Sequence, residues 1–167
     1  MIQRIQTVLL LGVVILLTVN LFVTIWTCTQ AAPPLALKLN AFSVTSVPVL
    51  SSGTGKLSME APMQVKNVYY IAGLIVASLA VSLVTIVQYK NRKLQMLLCS
   101  VLLLLVSFIL GSYFIAIPTA KSLMLTPSDG NYQIGYFLPM IDLALVLAAR
   151  YYIRKDEELV KSVDRIR

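Results

Sequence analysis

Four stretches of the chain are apolar for about 20 residues each, the length a helix needs to cross a hydrocarbon layer roughly 30 Å thick. The first runs from Thr7 to Trp26 and is broken only by Gly12, Thr18, Asn20 and Thr24. The second is Tyr69 to Val87. The third, Leu94 to Ile117, is almost uniformly Leu, Val and Ile. The fourth, Ile134 to Ile153, is the least apolar and holds Pro139, Asp142 and, near its end, Arg150. The first run exceeds the roughly 7–15 apolar residues of a cleavable signal segment, so it is expected to remain as a helix.

Between the runs the pattern changes. The 42 residues from Thr27 to Val68 open with Pro33-Pro34, which cannot continue a helix. They then alternate apolar and polar at Leu35, Leu37 and Leu39, as a half-buried strand does. Ser51 to Gly55 reads as a turn and Lys56 to Glu60 as a returning strand. The expectation is a β-hairpin lying over the helices, ordered across Ala36 to Thr45. In the second connection, Pro127-Ser128-Asp129-Gly130 favours a tight turn with Gly130 at positive φ. Leu123, Met124 and Leu125 are expected to add a short strand to the same sheet.

The fold class predicted is an all-α membrane protein, an antiparallel four-helix transmembrane bundle with a small extracytoplasmic β-hairpin cap. One membrane domain spans residues 1–167, with an inner loop at 88–93 and a tail helix at 154–167. Charge sets the orientation. With the N-terminus inside, ten Lys and Arg residues fall on the inner side, including Arg4 and the compact Lys90-Asn91-Arg92-Lys93 turn. Only Lys38, Lys56, Lys66 and Lys121 fall outside, which satisfies the positive-inside rule. Both termini are therefore expected in the cytoplasm. The net charge of +7 is explained by topology, not by nucleic acid.

Composition removes several chemistries. With no histidine, there are no His-based metal sites and no Ser-His-Asp triad. Cys28 and Cys99 belong to no Cys-x-x-Cys pair, so thiol redox chemistry is not expected. No cofactor, no metal and no catalytic residue is predicted.

Asp142 is the residue that most needs an account. It is ninth in the fourth run, near mid-membrane, where a charge costs about 2.5–3.5 kcal/mol by insertion scales. Counted inward from the predicted outer ends, Asn20 is seventh, Ser78 tenth and Ser107 eleventh. At 1.5 Å per residue these four groups fall within roughly 6 Å of one depth. They define either a structural polar layer or a protonatable site. On the layer reading, Asp142→Leu would strand its partners and destabilise the bundle. Pro139 is expected to bend the fourth helix and free a carbonyl near Asp142.

Small residues four apart, Gly73 and Ala77, Ser78 and Ser82, Ser107 and Gly111, Ala144 and Ala148, suit close packing within the bundle or against another membrane protein. In the tail, Leu159, Val163 and Ile166 form an apolar stripe, with Arg154, Lys155, Arg165 and Arg167 placed to meet acidic lipid headgroups or a partner.

The opening Met1-Ile2-Gln3-Arg4-Ile5-Gln6-Thr7 and the closing Ile153-Arg154-Lys155-Asp156-Glu157-Glu158-Leu159-Val160-Lys161-Ser162-Val163-Asp164-Arg165-Ile166-Arg167, preceded by Gly135-Tyr136-Phe137-Leu138-Pro139, resemble a family of small bacterial four-pass inner-membrane proteins of unknown function. The resemblance implies the architecture and a bacterial inner-membrane location, and it supplies no catalytic residues. The expected role is a non-enzymatic interaction subunit or scaffold of a membrane complex. Its expected partners are membrane lipids and another membrane protein. The second expectation is a small proton-coupled carrier using Asp142.

Overall fold

The apolar runs form four helices in a computed structural model that describes residues 2–30, 35–48, 63–89, 91–123 and 130–164. They are α1 (Ile2–Phe22), α2 (Tyr69–Val87), α3 (Arg92–Lys121) and α4 (Ile134–Asp164). All four are long and apolar enough to cross a membrane. Around the bundle α1 packs on α2 and α4, and α3 packs on the same two helices. Each sends one stripe inward. In α1 it is Leu10, Val13, Leu17 and Asn20; in α4 it is Leu138, Asp142, Val146, Ala149 and Ile153, spaced three or four apart as a 3.6-residue period requires. The opposite faces are apolar as well, with Val8, Ile15, Leu83, Phe108, Phe114 and Leu147 exposed.

One end of the bundle carries a five-stranded antiparallel sheet, larger than the expected hairpin. Its strands are β1 (Trp26–Gln30), β2 (Leu35–Leu39), β3 (Ser43–Pro48), β4 (Met63–Asn67) and β5 (Asn131–Tyr132), in the order β4-β3-β2-β1-β5. The alternation at Leu35 to Leu39 is β2, with Leu37 and Leu39 buried. The predicted turn at Ser51 to Gly55 and strand at Lys56 to Glu60 lie outside the described residues, as do Pro33-Pro34, Met124 and Leu125. Leu123 follows α3 in a turn, and the late strand is Asn131–Tyr132 instead.

The first helix ends at Phe22, four residues short of the predicted Trp26. The run Val23-Thr24-Ile25-Trp26-Thr27 is β-branched and aromatic, a composition that fits a pleated strand better than a helix. Accordingly Ile25 N–H bonds the Leu39 carbonyl at 2.8 Å and Trp26 pairs with Leu39 and Tyr132 across the sheet. The third helix overruns its predicted end by four residues, passing through Pro118 to Lys121.

Backbone bonds seat the sheet on the helices. Val68 N–H reaches the Phe42 carbonyl at 2.9 Å, and Gln133 N–H reaches the Ile25 carbonyl at 3.0 Å. Gln133 Nε2 also donates to Thr27 Oγ1 at 2.9 Å, latching the start of α4 to β1. Gly130 is not in the left-handed region that the turn reading assigned to it; a Cβ there would collide with the Trp26 indole, so space requires the glycine. At Gly135 a Cβ would stand 2.7 Å from the Thr24 carbonyl oxygen, so the link between α1 and β1 lies tight against the start of α4.

At the other end, Arg92, the first residue of α3, pairs with Asp156 of α4 at 3.0 Å and also donates to the Asp156 carbonyl at 2.9 Å. The predicted tail helix is thus the last part of α4, held against the bundle at its first turn.

Candidate functional site

Inside the bundle, four polar residues were placed at one depth by sequence; the structure separates them. Asn20 and Asp142 are both fully buried. The Asn20 amide and the Tyr113 hydroxyl hold each other, with Nδ2 donating to Oη at 3.1 Å and Oη donating to Oδ1 at 3.2 Å. Neither carboxylate oxygen of Asp142 has a hydrogen-bond partner among the described residues. Ser78 is buried but spends its hydroxyl on the Leu74 carbonyl of its own helix, at 2.8 Å. Ser107 faces outward and bonds Leu103 in the same way.

Helix ends account for the separation. Because α1 stops at Phe22, Asn20 lies third from the sheet end of its helix, not seventh. Because α3 continues to Lys121, Ser107 lies fifteenth, not eleventh. A Cβ on Gly12 would lie 3.5 Å from Leu145 Cδ1, so α1 and α4 touch there. The single carbonyl that Pro139 deprives of an N–H belongs to Gly135, two turns outward of Asp142.

Tyr113 is the buried partner of the candidate site that sequence reasoning missed. The signal was the phase of α3: Leu102, Val106, Ile109 and Tyr113 follow each other at spacings of four, three and four, and Ser107 is out of that phase. Tyr113 lies within electrostatic range of the Asp142 carboxylate. It also begins an aromatic wall. The Tyr113 and Tyr136 centroids are 5.9 Å apart, and Tyr136 lies 4.7 Å from Tyr132. These rings, with Phe114, Ile117, Pro118 and Lys121, line a cleft of about 150 Å³ where α3, β5 and α4 meet.

Several predicted features lie elsewhere. Gly73, Ala77, Ser107 and Gly111 face outward, and a Cβ on Gly73 or Gly111 would meet nothing within 4 Å. Only Ser78 and Ser82 of the small-residue pairs are buried together. In the tail, Arg154 and Lys155 are exposed, and Arg154 pairs with Glu158 at 3.1 Å. Leu159 and Val163 lie on α4, while Arg165, Ile166 and Arg167 lie outside the described residues.

Fold and site together define a mostly helical protein with four helices able to span a membrane, capped at one end by a small antiparallel sheet. The chain belongs to the family described as "Domain of unknown function (DUF4293)", which it matches over residues 2–166. No curated protein matches it.

Proposed function

We propose that the chain is a four-pass protein of the bacterial inner membrane, with both termini cytoplasmic and the sheet outside, and that Asp142 makes it a small proton-coupled carrier. Apolar side chains on the outward as well as the inward faces of the helices support the membrane placement, since water would penalise that surface. The N-terminus, the α2–α3 turn and the far end of α4 share one end of the bundle, where the basic residues concentrate. A reporter active only in the periplasm should be silent when fused after Arg167 and active when inserted near Gly53. The reverse pattern refutes the orientation.

The carrier reading rests on one observation: a fully buried carboxyl on an inward stripe whose oxygens bond to nothing described. A structural polar layer needs hydrogen bonds to Asn20, Ser78 or Ser107, and each of those side chains is committed elsewhere. Intramembrane carboxyls commonly mark proton paths. Here one proton would be loaded and released at an Asp142 oxygen as the bundle opens to either side. Asp142→Asn keeps the shape but not the titration. It should accumulate folded and lose the native phenotype, and a folded Asn variant with wild-type behaviour ends the carrier reading.

An interaction subunit, the reading favoured by the sequence, keeps one observation of its own. Gly73 with Ala77, and Ser107 with Gly111, leave open space on outward faces, where another helix backbone could approach closely. Under that reading the Asp142→Asn variant retains both phenotype and co-purifying partners in mild detergent.

A further inference from the structure

The cleft at the sheet end has a chemistry of its own. Its walls are Tyr113, Phe114, Tyr132 and Tyr136, and Lys121 brings it a positive charge from the last turn of α3. It opens sideways: Phe114 is 72% exposed and belongs to the outward face of α3. Pro118, also in the lining, has no N–H to give the Phe114 carbonyl one turn back, so this wall carries an acceptor outside the usual helical bonding. About 150 Å³ holds roughly five waters, or the phosphate and first atoms of a headgroup, but not an acyl chain.

The level of the cleft narrows the choice of occupant. It sits where the apolar span of α3 ends and the sheet begins, the level at which amphipathic tyrosine rings meet lipid headgroups. A ligand that enters from the side there already has its tail in hydrocarbon. A lysine beside it selects an anion, and the proline-freed carbonyl accepts from a hydroxyl.

We propose that the cleft between α3, β5 and α4 is a binding site for the headgroup of an anionic, hydroxyl-bearing phospholipid of the outer leaflet, its phosphate held by Lys121 and its glycerol backbone lying on Tyr132 and Tyr136. This rests on the membrane-spanning reading and not on the carrier reading.

The protein carries its own probe. Trp26 is the single tryptophan, and it faces Tyr132 across the β1–β5 pair. The purified full chain in a neutral detergent is titrated with short-chain phosphatidylglycerol, with phosphatidylcholine of equal chain length, and with inorganic phosphate. Tryptophan fluorescence and the thermal midpoint are followed. Phosphatidylglycerol should give a saturable response on both, and the other two should not. Lys121→Gln should weaken the apparent affinity about fivefold, the loss of one lysine's attraction to acidic lipid, while Lys121→Arg keeps it. Lys121 is exposed, so the Gln variant should match wild type in stability without lipid. Lys38→Gln, on the sheet, should bind as wild type does. An equal response to phosphatidylcholine, saturation by phosphate alone, or unchanged affinity in Lys121→Gln overturns the proposal.

Discussion

Two buried polar spots in the same bundle have opposite fates. The outer one, Asn20 on α1, meets Tyr113 on α3, and the two side chains satisfy each other. The inner one, Asp142 on α4, has no such partner among the described residues. Each residue interrupts an apolar stripe at the correct helical phase, so neither is misplaced within its helix. The difference comes from what the neighbouring helices offer at that level. A tyrosine side chain leans toward the N-terminus of its helix and spans several ångströms, so it can reach a group on another helix. The serines nearest Asp142 in the sequence count are too short for that, and Ser78 and Ser107 instead bond carbonyls one turn back in their own helices. Depth and reach together decide whether a polar residue becomes a bolt or a loose charge site.

That comparison can be broken most sharply at Asn20. Asn20→Leu leaves the Tyr113 hydroxyl buried and unpaired, and should lower unfolding stability in detergent by about 1–2 kcal/mol. Asp142→Leu should do the reverse and stabilise by about 1 kcal/mol, because it removes a buried polar group that has no partner to lose. This inverts the sign that a shared polar layer would give. A large destabilisation would mean that Asp142 is bonded after all. The coupling is comparable: a double-mutant cycle on Asn20→Leu and Tyr113→Phe should return about 0.6–1.7 kcal/mol. The same cycle on Asn20→Leu and Asp142→Leu should add within roughly 0.5 kcal/mol. Least of all, Ser107→Ala should move the thermal midpoint within error, since its hydroxyl faces outward and bonds only its own helix.

Much of this was legible in the chain, and the misses share a cause. Runs of 20 apolar residues leave little choice but helices, and the 3.6-residue phase of α3 already carried Tyr113, had it been followed past Val106. The alternation of β2 was visible because one of its faces is buried. The strand at Trp26–Gln30 was hidden because Ile25 and Trp26 continue the apolar run of α1, and periodicity cannot mark where an apolar helix hands over to an apolar strand. The two-residue β5 is too short to announce itself; it exists only because β1 is there to pair with it. The ends of α1 and α3 were misplaced for the same reason as β1, and an error of four residues at a helix end moves a counted depth by about 6 Å. The glycine at position 130 was recognised and given the wrong reason, since a local rule about φ cannot foresee an indole from a strand a hundred residues earlier.

The order of strands also writes an order of events into synthesis. Strands β1 to β4 are all made before α2, so four-fifths of the sheet can assemble while the second half of the chain is still to come. The outer edge of β1 stays open through that interval. It closes only when Asn131 and Tyr132 arrive beside Thr27 and Trp26, with Gln133 fastening on Thr27. A nascent chain therefore presents Trp26 beside an unclosed strand edge until α4 begins. The last helix acts as the keystone of the cap as well as the fourth wall of the bundle, and a chain stalled before residue 131 would be the form most exposed to quality-control proteases.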